Sequence, residues 1–297
     1  MLPAMKVVTI IALVALLGIA CTKAEDRKSA TTAAPGDGIE LISTGSPVAA
    51  RTLRYHLAKG TKTPLELVLE LDLEAGGRGG KMPTLVLTTD IAADEVLPDG
   101  SARIRTAVAN AQARERAGSV VPASTMGAMA GQLIGTTLTA TLSPDGVLSR
   151  AKVDLPKSLA PAVAAQLDQL TQNLEQIAMR LPAEPVGVGA MWSSRNTMAL
   201  NGIDLVTVTT VTITAIDGDR VAFTSKTTVT TPDRTVDQQG VTMSIKDFGG
   251  GGSGAGTIDL SRMTMTGSLH SEFRGRLTAQ GQTADMKMAM TLTTRSW

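Results

Sequence analysis

The chain has 297 residues, 43% of them hydrophobic, and a formal charge of +1. A charge this near zero lacks the basic footprint that phosphate backbones require, so no nucleic-acid partner is expected. Three Phe, two Trp and one Tyr leave few stacking groups, two His leave little for acid–base or metal chemistry, and a lone Cys excludes an internal disulfide; no cofactor is expected.

The first segment is a targeting signal by its pattern. Lys6 precedes an apolar run from Val7 to Ala20, and Cys21 follows at once. The run is shorter than the roughly 20 residues a membrane span needs. A positive start, an apolar centre and small residues before a cut mark residues 1–20 as an export signal. With Cys21 at the cut, the segment resembles a bacterial lipoprotein signal, although the Leu of that pattern falls one place early, at Leu17. The resemblance implies that Cys21 is acylated, becomes the first mature residue and holds the protein on a membrane. Thr22 stands where Asp would mark inner-membrane retention, so the resemblance favours the outer membrane. An ordinary secretion signal and a retained anchor are the rival readings.

Residues 21–38 read as the lipidated Cys and a tether, rich in Ala, Thr, Lys, Asp and Gly. A chain of that length spans roughly 20–25 Å. From Ile39 the strand period takes over. Leu65, Leu67, Leu69, Leu71 and Leu73 alternate with Glu66, Glu70 and Asp72, as in an antiparallel strand with one dry face. Arg51–Leu57 is expected to pair with it across the turn 59–64. Strands follow at Thr84–Thr89 and Ala102–Val108, with a turn at Pro98-Asp99-Gly100 between them. Residues 119–134 suggest a short helix interrupted by Gly. Thr136–Leu142 and Val147–Leu155 form a hairpin around 143–146.

Leu159, Val163, Leu167, Leu170, Leu174, Ile177 and Leu181 form a helical stripe, which predicts a long amphipathic helix over 158–181. Ser158 caps it, Pro161 sits in its first turn, and Pro182 ends it. Residues 182–189 are a stiff connection. Strands resume at Trp192. Within Leu205–Ala215 the apolar phase slips between Val208 and Val211, which suggests a bulge at Thr209-Thr210. Further strands run through Val221–Val229, Val241–Ile245, Met263–Leu277 and Met286–Leu292. The halves 39–157 and 186–297 are loosely alike.

Few constellations carry chemistry. Gly249–Gly252, Ser253 and Gly254 match a dinucleotide fingerprint through glycine content alone, with no helix to follow, and read as a flexible strand connection. His270 shares a polar strand face with Glu272, Arg274 and Arg276, and His56 lies near a turn. A catalytic role for either needs a pocket that joins it to a carboxylate and a hydroxyl. Met263, Met265, Met286, Met288 and Met290 recur at period 2 on two neighbouring strands. They fill a core, line a pliable site for a lipid or other apolar ligand, or bind a soft metal through sulfur.

This order of elements resembles the lipoprotein-sorting and mycobacterial lipid-carrier half-barrels. The segment Pro185-Val186-Gly187-Val188-Gly189-Ala190-Met191-Trp192 is similar to the P-V-x-V-G-x-x-W stretch of strand-rich bacterial envelope lipoproteins. The resemblance implies a mainly β (α+β) fold: a curved antiparallel sheet or half-barrel with the helix 158–181 packed on it. It implies a lipid-anchored envelope protein, not an enzyme, that holds a lipid or apolar ligand against the sheet. The alternative is a structural lipoprotein that presents the sheet to an envelope protein, with no ligand cavity.

Overall fold

Alternating hydrophobicity from Ile39 onward specifies strands, and the computed structural model describes residues 38–156, 179–200, 203–238, 241–279 and 281–296. The fold is mainly β. The described strands are β1 (Ile39–Ser43), β2 (Lys62–Ala75), β3 (Arg78–Lys81), β4 (Thr84–Val96), β5 (Ala102–Arg114), β6 (Thr137–Leu142), β7 (Leu148–Asp154), β8 (Met191–Leu200), β9 (Ile203–Asp217), β10 (Arg220–Thr230), β11 (Arg234–Gln238), β12 (Val241–Asp259), β13 (Thr264–Ala279) and β14 (Gln282–Ser296). One described helix, α1, covers Ala123–Gly131. The expected helix 158–181 and the signal with Cys21 fall largely or wholly on residues outside the described set. Its last residues, 179–181, are described and are not helical.

All the described strands join one open antiparallel sheet in the order β1-β8-β9-β10-β12-β13-β14-β2-β4-β5-β6-β7, with β11 beside β12 and β3 beside β2. The two halves of the chain meet where β14 pairs β2, Met290 opposite Leu71. Directly opposed residues share a face, so the register defines an inner face from flank to flank. On β2 it carries Leu65, Leu67, Leu69, Leu71 and Leu73, the alternation read from the sequence.

The sheet is curved, and the core shows how. Trp192, Val211, Ile213, Phe223 and Ile258 from one flank share a buried cluster with Ala93, Ile104, Leu142 and Leu148 from the other. These strands are far apart along the sheet, so the inner faces of both flanks turn toward a common interior. Leu53, Tyr55 and Leu57 lie in that interior. Residues 51–57 therefore do not form the strand expected to pair with β2. They cross the end of the sheet instead. The Tyr55 amide donates to the Pro144 carbonyl at 2.8 Å, in the β6–β7 turn, and the next amide, His56, donates to the Leu260 carbonyl at 3.1 Å, just past β12. Consecutive residues thus tie opposite flanks together.

A second cluster lies further along the same face. Met126 and Ala130 of α1 pack on Leu85, Leu87 and Ala111, next to Leu69, Leu71 and Met290. The α1 N-terminus has no side-chain cap from its own first residue, Pro122. The Glu115 carboxylate accepts the Ala123 amide at 3.1 Å instead, which suits the positive end of a helix.

Two local expectations need correction. Residues 249–254 are not a flexible connection but the middle of the 19-residue strand β12. No bulge sits at Thr209-Thr210, where the ladder to β10 is continuous; the irregularity lies at Thr214. The slip in apolar phase has another cause: Val206 and Val208 face outward, Val211 and Ile213 inward, and the inward positions between are threonines.

Candidate functional site

The inner face is nearly free of charge. Across the ladders that join β8, β9, β10, β12, β13, β14, β2, β4 and β5, the pairs on that face match residues other than Asp, Glu, Lys, Arg and His. The exceptions come from the two short side strands, Arg78 of β3 opposite Ala75 and Arg234 of β11 opposite Ile245. The charges project from the opposite face, where Arg116 contacts Asp72 at 2.5 Å, Lys287 approaches Glu74 at 3.8 Å, and Arg295 approaches Glu66 at 3.8 Å. Burying an ion without a partner is costly, so a face this clear of charge is suited to apolar contact.

A polar row nevertheless crosses it. Ser194, Thr209, Thr227 and Ser271 fall in one register row that continues to Met290 and Leu71. Thr209 and Thr227 hydroxyls are 3.1 Å apart and hydrogen bonded, and Ser271 is 4% exposed. Between Thr227 and Ser271 the row passes through Gly252. From Gly250 to Gly256 every inward position of β12 is glycine, so the neighbouring strands' side chains lie down over it. A Cβ on Gly252 would strike the Ser271 hydroxyl and the His270 carbonyl, and a Cβ on Gly256 would come within 3.3 Å of the Phe223 ring.

Toward the hairpin ends the row gives way to an apolar group. Phe273 stands opposite Met288, and Met288 opposite Leu73. Phe248, displaced by a bulge after Lys246, stacks on Phe273 with ring centroids 6.3 Å apart and planes 9° from parallel. It also lies over Gly275, where a Cβ would come within 2.8 Å of its ring. Phe248, Phe273, Met286, Met288 and Leu73 are all half-buried. An open depression of about 720 Å³ nearby is lined by Asp72, Glu74, Lys81, Glu272, Arg274 and Lys287 as well as by Leu73, Phe273 and Met288. The rows Glu272–Ala289–Asp72 and Arg274–Lys287–Glu74 belong to the outer face, so its charged lining separates it from the apolar group.

The five methionines are not one group. Met265 would stand ten residues up β13 from Gly275, the partner of Met286, so the two groups lie at opposite ends of the hairpin. Met263 and Met265 pack on the cluster around residues 51–57. Met288 and Met290 join the cluster with Leu69 and Leu71. Phe248 escaped the sequence reading. Its signal is the Lys246-Asp247-Phe248-Gly249 break in alternation, where Asp247 adopts a φ of 51°.

Both histidines are placed. His270 Nδ1 lies 3.1 Å from the Thr291 hydroxyl, and its Nε2 lies 3.5 Å from Glu272. This joins a histidine to a hydroxyl and a carboxylate, but on the outer face, with His270 and Glu272 side chains 55% and 59% exposed. Water reaches the group freely, and the ladder partners account for its contacts. His56 contacts Asp219 at 3.1 Å, at the surface end of the 51–57 crossing. Buried Tyr55 donates its hydroxyl to the Met179 carbonyl at 3.1 Å, and burial pushes its phenol well above the ordinary value. Among the described residues no group of three or more His, Cys, Asp or Glu is placed to hold a metal ion.

A family model, described as a family of unknown function, DUF6263, matches residues 165–264. The match covers about a third of the chain and, among the described residues, runs from 179 through β12 into the start of β13. It is a likeness over that stretch and carries no activity with it. No curated protein matches the chain.

Proposed function

We propose that the protein is a lipid-anchored component of a bacterial cell envelope that holds an uncharged, apolar ligand or lipid on the inner face of its curved sheet, without catalysing a reaction. The observation that carries the ligand reading is the distribution of charge: in the ladders that join β10, β12, β13, β14 and β2, the ionisable side chains alternate to the outer face and leave the inner one clear. A filled core explains the two buried clusters. It leaves Phe248, Phe273 and Met288, toward the hairpin end of the face, only half-buried. Met and Phe surfaces repack around varied apolar shapes. The hydroxyl row offers uncharged partners to an ester or hydroxyl on the ligand.

The anchor rests on Cys21 and the run before it. Two or more acyl chains hold a protein stably on a membrane without help from its surface.

Titration with N-phenyl-1-naphthylamine, a neutral apolar fluorophore, tests the ligand reading. Saturable fluorescence enhancement is expected, reduced tenfold or more in affinity by Phe273→Arg and retained by Phe273→Leu. No saturable binding, together with a protein cross-linked to the sheet in intact envelopes, would replace this reading with that of a structural lipoprotein.

A further inference from the structure

The segment Pro185–Trp192 has a second face. Val186 and Trp192 are buried at 0% and 1% exposure, while Val188 between them is 46% exposed. Val188 does not stand alone. Its carbonyl accepts the Ser46 amide at 2.8 Å, and the Gly187 amide donates to the Thr44 carbonyl at 2.9 Å. Segments 44–48 and 186–190 are thereby locked across each other. The crossing is tight enough to require glycine: a Cβ on Gly45 would strike the backbone of Val188 and Ala190, and one on Gly187 would strike the Ser46 carbonyl.

This interlocked lobe displays apolar side chains. Val48 is 80% exposed at the corner of a turn closed by the Ala50 amide on the Pro47 carbonyl, with Ala49 at a φ of 57°. Ile42 is 53% exposed and is the unpaired residue of a bulge between Leu41 and Ser43 on edge strand β1. Neither 41–50 nor 185–192 contains a charged residue. Single exposed apolar side chains need no explanation, but three on one charge-free, interlocked lobe mark an interaction surface.

The chain itself indicates what it meets. The lobe begins at β1, the first described strand, and residues 22–38 separate that strand from Cys21. Even fully extended, such a stretch reaches at most about 60 Å. With Cys21 acylated, the tether joins the domain next to this lobe and keeps the lobe within that distance of the bilayer. We propose that Ile42, Val48 and Val188 form a docking patch that rests in the membrane interface and orients the sheet relative to the bilayer. The patch adds little to affinity beside the acyl chains. Its effect is orientation, and the locked loops lose little freedom on contact. This inference rests on the anchor reading.

The lone cysteine makes the test clean, because acylation blocks Cys21 and an introduced thiol is then unique. Full-length protein carrying Val48→Cys is labelled with an environment-sensitive fluorophore and reconstituted into phosphatidylethanolamine–phosphatidylglycerol vesicles with brominated lipid. Thr228→Cys, exposed on β10, is the control. The expected result is a blue shift and bromine quenching at position 48, with aqueous emission at position 228. Mass spectrometry of Cys21 runs in parallel. An unmodified Cys21 overturns the anchor reading and the patch with it. An acylated, vesicle-bound protein with aqueous emission at position 48 overturns the patch alone. A blue shift without quenching assigns the patch to a second copy of the chain and likewise overturns membrane docking.

Discussion

Ser271 of β13 stands directly across from Gly252 of β12, and its hydroxyl occupies the volume that a Cβ on Gly252 would need. The pair joins two features of the inner face, the hydroxyl row and the glycine floor. Glycine in a strand is unfavourable by propensity. Here it lets side chains from both neighbours fold over one strand.

Gly252→Ala is therefore expected to destabilise the protein by about 1–3 kcal/mol, the usual cost of overpacking. The clash with the His270 carbonyl remains even if Ser271 moves. Urea unfolding checks this as a lower midpoint at unchanged slope. Gly131→Ala is the control. A Cβ there meets nothing within 4 Å. At the end of α1 it should be neutral or stabilising by up to about 1 kcal/mol.

Tyr55→Phe should cost about 1 kcal/mol near neutral pH, the worth of one buried hydrogen bond, because it leaves the Met179 carbonyl without its donor. The pH dependence has a definite sign. Burial raises the folded-state phenol above its ordinary value of 10.0. The neutral form is thus favoured by folding, so this contribution is complete below pH 10 and is lost as pH rises beyond it. Stability measured at pH 9 and pH 11 should fall more steeply in the wild type than in Tyr55→Phe.

Asp94 gives a smaller effect on the acid side. Its hydrogen bonds from Arg105, at 3.0 Å each, hold its carboxyl below the ordinary value of 3.8. A lowered carboxylate contributes stability above that value and loses it as pH falls through the folded-state value. The pair is nearly half exposed, so the contribution should not exceed about 1 kcal/mol. Urea midpoints at pH 7 and pH 2.5 should differ less in Asp94→Asn than in the wild type.

The His270–Thr291–Glu272 group should have no catalytic consequence. Hydrolysis of p-nitrophenyl acetate by the wild type and by His270→Ala is expected to proceed at the same rate. A rate lost with His270 and with Thr291→Val would make the outer face a reactive site.

Particular residues show what the sequence makes legible. The leucines of β2 alternate strictly, and one dry face follows from that period alone. The short helix near 123–131 was marked by Pro122 and its methionines. Residues 51–57 misled because Leu53, Tyr55 and Leu57 alternate as a strand would. Their partners are carbonyls of distant turns, Pro144 and Leu260, which no local pattern announces. The glycine run of β12 misled in the opposite direction: composition indicates flexibility, while the ladder on both sides fixes it as strand. The threonines on the inner face of β9 looked like a phase error. They are the hydroxyl row, and recognising it requires the register to β10 and β13.

Native mass spectrometry of the protein purified from membranes in mild detergent tests the central claim most directly. The wild type should carry an additional mass that dissociates as an uncharged apolar molecule. Met288→Lys, which places a charge on the inner face opposite Phe273 and Leu73, should lose that mass, and Met288→Leu should keep it. A wild-type protein that carries no such mass, or a Met288→Lys variant that carries it undiminished, would contradict the assignment of the inner face as a ligand site.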